Sequence, residues 1–62
     1  MNDHLLLIKY RDGGFEEMTC SRWEFDGNEL HIWSFSEQHP QEEDLYFVPL
    51  LNVRYVRDQI GN

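Results

Sequence analysis

The chain has 62 residues and not one alanine, the residue with the highest helix propensity. Its apolar positions are filled by Leu, Ile, Val and aromatic side chains, which suit a pleated sheet. There is a single cysteine, Cys20, so no intramolecular disulfide can form. A secreted domain this small usually needs several, and the sequence therefore predicts a reducing, cytoplasmic setting. Long hydrophobic runs are missing too. Leu5-Leu6-Leu7-Ile8 is four residues long, follows Asp3 and His4, and precedes no small-residue cleavage site. It is neither a signal peptide nor a membrane span. Cations are scarce: five Lys and Arg face twelve Asp and Glu, a formal net charge of -7. That balance disfavours direct contact with nucleic acid or an anionic membrane and suits a basic partner.

What is present argues for folding. Aromatics make up 15% of the chain, far more than an acidic disordered tail would carry. Turn signals recur at short intervals: Asp12-Gly13-Gly14, Asp26-Gly27-Asn28, the polar stretch 36–44 with His39-Pro40, and Pro49. Between them lie alternating segments. The spacing predicts strands over 4–11, 15–20, 22–26, 29–35, 45–48 and 53–57. In the third, Trp23 and Phe25 point inward and Arg22, Glu24 and Asp26 outward. In the fourth, Leu30 and Ile32 share one face and His31, Trp33 and Phe35 the other. The expected fold is all-β and spans residues 1–62 as one domain. It is a single strongly bent antiparallel sheet or partly open barrel of five to six strands. Leu50, Val53, Val56 and Ile60 also fit a short C-terminal helix, the alternative for the tail. Leu7, Ile8, Trp23, Phe25, Leu30, Ile32, Phe47, Val48 and Val53 are the expected core.

The search for chemistry returns little. His4, His31, His39 and Cys20 lack the spacing of a zinc site, so no metal or cofactor is expected. His4 and His39 are expected in solvent and His31 half buried beside Trp33. Cys20, His31 and an acid can be assembled on paper as a nucleophilic set, as almost any chain allows, and Cys20 reads instead as a small core residue at a strand end. Glu16-Glu17 and Glu42-Glu43 are neighbours that a strand would point to opposite faces. No glycine-rich phosphate loop occurs. The sequence therefore predicts a protein without enzymatic activity. An aromatic face that stacks nucleic-acid bases would need a basic groove, for which only Lys9, Arg11, Arg22, Arg54 and Arg57 are at hand.

The acids carry the sharper reading. Alternate residues of a strand lie roughly 6.7 Å apart, near the repeat of successive backbone phosphates. Glu24 and Asp26 share one face at that spacing, and Glu29 begins the next strand just across the turn. Glu37, Glu42, Glu43 and Asp44 add an adjustable acidic segment. Together these seven are the candidate partner-binding residues, aimed at the basic surface of a nucleic-acid-handling complex. A homodimer through an edge strand, such as the one ending at Arg57, is an open option. The other role the composition allows is a structural or assembly module whose acids only solubilise it.

Four segments also carry a family resemblance: Leu6-Ile8-Tyr10, Asp12-Gly13-Gly14, Phe15-Glu16-Glu17, and the tail from Val48-Pro49-Leu50 to Arg54-Tyr55-Val56. Their succession resembles very small phage and prophage open reading frames. Those begin with an apolar strand, turn at Asp-Gly, continue with an acidic strand and end in a similar tail. Acidic members of that size class resemble anti-CRISPR proteins, some of them nucleic-acid mimics. The resemblance implies a phage-type inhibitor that occupies a surface in the host cytoplasm. It transfers no catalytic motif.

Overall fold

A computed structural model describes residues 1–60. Six strands follow one another: β1 (His4–Tyr10), β2 (Phe15–Cys20), β3 (Arg22–Asp26), β4 (Glu29–Phe35), β5 (Glu43–Pro49) and β6 (Val53–Asp58). A single 3-10 turn, Leu50–Asn52, joins the last two. The alternative C-terminal helix is thereby corrected. Val53 enters the core as a strand residue opposite Tyr10, while Ile60 at the far end of the supposed stripe is exposed.

The glycine turns work as their sequences demand. Gly13 and Gly27 hold positive φ of 98° and 62°, open to glycine at little cost. At the first turn the Asp12 carboxylate accepts a bond from the Gly14 amide at 2.8 Å, and the Tyr10 amide donates to the Gly14 carbonyl at 2.8 Å. The expected boundaries shift at three places. β1 stops at Tyr10, β6 runs on to Asp58, and β5 reaches from Glu43 to Pro49 instead of 45–48.

The strands form two antiparallel three-stranded sheets, ordered β2-β1-β6 and β3-β4-β5. This corrects the expectation of one bent sheet or partly open barrel. The division falls at Ser21, the one residue between β2 and β3. Its amide donates to the Trp33 carbonyl of β4 at 2.8 Å, so the chain leaves the first sheet and enters the second within a single residue. Strands that change sheets at such a corner let two small sheets cover each other's apolar faces.

Leu6, Ile8 and Val53 from the first sheet meet Leu30 and Ile32 from the second, with Cys20 at the corner; all six are buried. Tyr10, Met18, Trp23, Val48, Leu50 and Val56 pack partly buried around them. Ile8, Leu30, Ile32 and Val53 thus take their expected places, and Trp23 and Val48 lie at the margin. Three expected core residues do not. Leu7 points to the outer face of β1, the opposite side from Leu6 and Ile8. Phe25 and Phe47 are 56% and 55% exposed. Phe25 shares the Trp23 face and meets the Trp23 ring edge-on at 5.5 Å, and Phe47 faces outward beside His31.

The two sheets are also tied by polar contacts. The Asn2 side chain donates to the Phe35 carbonyl at 2.7 Å and accepts from the Phe35 amide at 2.9 Å. Asp58 of β6 lies 2.8 Å from His4 Nδ1 and accepts from Trp23 Nε1 at 3.1 Å. His4 is therefore half buried against Asp58 of its own sheet, which corrects its expected place in solvent, and Trp23 brings the second sheet to the same carboxylate.

Candidate functional site

The nearest thing to a catalytic constellation is Cys20, His4 and Asp58. His4 and Cys20 are cross-strand partners, and Asp58 reaches His4. Burial pushes the Cys20 thiol up, and the negative charges of Asp58 and Asp3 push it further the same way. A nucleophilic cysteine needs the opposite environment, one that favours the thiolate. The cluster instead links β2, β1 and β6, and through the bond from Trp23 Nε1 to Asp58 it reaches β3. Tyr10 is likewise pushed up, to about 12, by burial and by the Glu16 carboxylate to which its hydroxyl donates. Among the described residues no three His, Cys, Asp or Glu side chains converge as metal ligands, and no helix is long and apolar enough to cross a membrane.

The outer face of the second sheet holds a different arrangement. The register places Glu24 opposite His31, Asp26 opposite Glu29, and Arg22 opposite Trp33. On the other side of β4, His31 faces Phe47, Trp33 faces Leu45, and Phe35 faces Glu43. His31 sits at the centre with its side chain only 13% exposed. Its Nδ1 is 3.7 Å from the Asp26 carboxylate and its Nε2 is 3.4 Å from that of Glu29. The Phe47 ring meets it edge-on at 4.6 Å. Arg22 does not neutralise this acid group. Its guanidinium lies 4.0 Å above the Trp33 ring, a cation–π contact that holds it one row away.

The seven candidate acids separate into sets. Glu24, Asp26 and Glu29 converge at the β3–β4 turn. Glu43 and Asp44 lie opposite Phe35 and Ser34 at the far end of β4, about 20 Å away at roughly 3.4 Å per residue. They belong to β5, not to the loop in which the sequence placed them. The Glu43 carboxylate also accepts a bond from the Ser21 hydroxyl. Glu37 and Glu42 are exposed in the connecting segment, where the Glu42 amide donates to the His39 carbonyl at 3.0 Å. The acids are therefore not one continuous patch.

Between the two acidic ends lies a band that the site prediction omitted: His31, Trp33, Leu45 and Phe47. Leu45 and Phe47 are exposed. The alternation of His31, Trp33 and Phe35 on one face of β4 was the available signal. The outer face of the first sheet is distinct in charge. There Lys9 lies over the Phe15 ring at 5.7 Å and Arg57 over Tyr55 at 5.8 Å, and Leu7, Phe15, Tyr55 and Glu17 line a shallow groove with Lys9. No protein-family model, curated protein or solved structure matches the chain.

Proposed function

We propose that the chain is a non-catalytic binding protein that works through the outer face of its second sheet. It would place carboxylates against a Lys/Arg-lined surface of a nucleic-acid-handling complex and exclude the nucleic acid. One observation carries this reading. The register gathers Glu24, Asp26 and Glu29 on one sheet face beside His31, and Arg22, the one Lys or Arg of that face among the described residues, lies over the Trp33 ring. Carboxylates gathered on one face attract a basic surface and speed its approach. The small acidic phage proteins that the sequence resembles make a host defence complex of the CRISPR type the leading target class.

The test is competition. Guide-loaded CRISPR complexes are given labelled target DNA with and without the chain, across a salt series. The expected result is loss of DNA binding that weakens as salt rises. Glu24→Gln, Asp26→Asn and Glu29→Gln together should keep the fold and relieve the inhibition. Equal inhibition by the triple variant at physiological salt would remove the face from the mechanism. The assembly-module reading rests on a different observation, the exposed Phe15 and Tyr55 beside Leu7 on the first sheet. It predicts a partner held without regard to salt and lost on Phe15→Ser.

A further inference from the structure

Strand β5 is an edge, hydrogen-bonded as a strand only to β4 among the described residues. Natural edges are blunted by lysines, prolines, bulges or brevity. The other edges of this protein follow that rule. β3 has five residues with Arg22, Glu24 and Asp26, β2 carries Glu16 and Glu17, and β6 carries Arg54 and Arg57. β5 confines such devices to its two ends, Glu43 and Asp44 at the start and Pro49 at the finish, and has no charge, proline or bulge from Leu45 to Val48. Its seven residues pair with β4 in unbroken register, and it contains no Lys or Arg. Leu45, Tyr46 and Phe47 in succession are 41%, 45% and 55% exposed.

We infer that β5 pairs antiparallel with β5 of a second copy, about a two-fold axis at Tyr46. The strand is self-complementary in this register. Leu45 falls opposite Phe47 of the second copy, Asp44 opposite Val48, and Glu43 opposite Pro49. No acid faces an acid. The two Glu43 residues stand at opposite ends of the ladder, about 20 Å apart at roughly 3.4 Å per residue, well beyond the Debye length at physiological salt. Pro49, with no amide hydrogen, ends the ladder on each side. The exposed parts of Leu45, Tyr46 and Phe47 amount to roughly 300 Å² per copy, at about 200 Å² for a large side chain. With the strand backbone this stays under about 1,200 Å² in total, the range of weak, concentration-dependent association.

Pairing would also rearrange the outer face. The row Asp26, Glu29, Pro49 of one copy continues into Glu43 and Phe35 of the second. Two acid sets that lie at opposite ends of β4 in one chain would then meet across the axis, with Glu29 about 10 Å from Glu43 of the second copy at roughly 4.8 Å per strand. Trp33 and Leu45 of one copy would continue into Phe47 and His31 of the other. The dimer thus presents an apolar band flanked by acids. This consequence for binding rests on the reading given under Proposed function; the dimer itself does not.

Sedimentation of the intact chain, without any partner, tests the pairing from micromolar to millimolar concentration. The expected mass rises from 7.5 kDa toward twice that value, and more readily at high salt, which screens repulsion between two copies of charge -7. Partner binding through the acids has the opposite salt dependence, so the two ideas fail separately. Leu45→Lys should return the protein to a monomer. Tyr46→Cys should oxidise to a disulfide-linked dimer, because residues directly opposite in an antiparallel pair have Cα atoms about 4.5–5.5 Å apart, within disulfide reach. Cys20 is buried, and Tyr55→Cys on β6 serves as the control. A monomer at every concentration overturns the proposal. So does a dimer that survives Leu45→Lys while Tyr46→Cys cross-links no faster than Tyr55→Cys.

Discussion

Strands β1 and β5 are both seven residues long and both rich in large apolar side chains, yet they do opposite things. β1 lies between β2 and β6 with the second sheet over its inner face, and its Leu6 and Ile8 are fully buried. β5 has a strand on one side only, and not one of its residues is buried. Hydrophobicity is similar; the number of neighbours is not. A central strand turns its apolar atoms into stability, whereas an edge strand leaves them available to a partner.

The contrast is broken most severely in the core. Ile8→Ala or Leu6→Ala should cost about 2–5 kcal/mol, the range for truncating buried aliphatic side chains, and in a protein this small should leave much of it unfolded. Phe47→Ala, already half in water, should fall well below that range. Urea titrations that gave equal losses for Ile8→Ala and Phe47→Ala would end the distinction. Next in size is the contact between sheets. Asp58→Ala leaves His4 and Trp23 Nε1 without their acceptor and should cost about 1–3 kcal/mol. A shift in Trp emission accompanying the lost stability would locate the change.

A smaller effect depends on pH. The Tyr10 phenol stays neutral in the fold to about 12, whereas an unfolded chain ionises it near 10. The resulting stability is fully present below pH 10 and is lost as pH rises toward 12, when a phenolate would face Glu16. Tyr10→Phe should flatten that fall, measured by thermal melts at increasing pH. The smallest structural effect belongs to the acids. Glu24→Gln, Asp26→Asn and Glu29→Gln should each change stability by less than about 0.5 kcal/mol, as exposed substitutions do. Their effect should lie in association rate and its salt dependence.

The strands were legible because two signals agree: period-two alternation and glycine where the backbone needs positive φ. Leu30 and Ile32 on one face of β4 and His31 and Trp33 on the other follow from alternation alone. Alternation says which residues share a face, but not whether anything covers that face. Phe25 and Phe47 were therefore misplaced, and Leu7 was confused with Leu6. The division into two sheets depends on a hydrogen bond from Ser21 to Trp33, twelve residues away, that leaves no local pattern. The start of β5 was hidden because Glu43 and Asp44 look like loop residues, yet Phe35 and Ser34 pair with them. At the candidate face, Glu24, Asp26 and Glu29 were visible as a group because a two-residue turn brings them together. The aromatic band beside them needs β5 in register and was not visible.

The first strand of the chain pairs with the last. β1 is flanked by β2, which follows it directly, and by β6, whose Asp58 contacts His4 across 54 positions of sequence. During synthesis the β1–β2 hairpin and the β3-β4-β5 meander can form as their residues emerge, but the first sheet waits for residues through 58. Until then Leu6 and Ile8 have an open strand edge and no Val53 or Val56 beside them. Long-range closure of this kind is slow and leaves a sticky intermediate. A nascent chain stalled before Val53 should accordingly be protease-sensitive and prone to capture by chaperones, while one extended past Asp58 should become resistant in a single step.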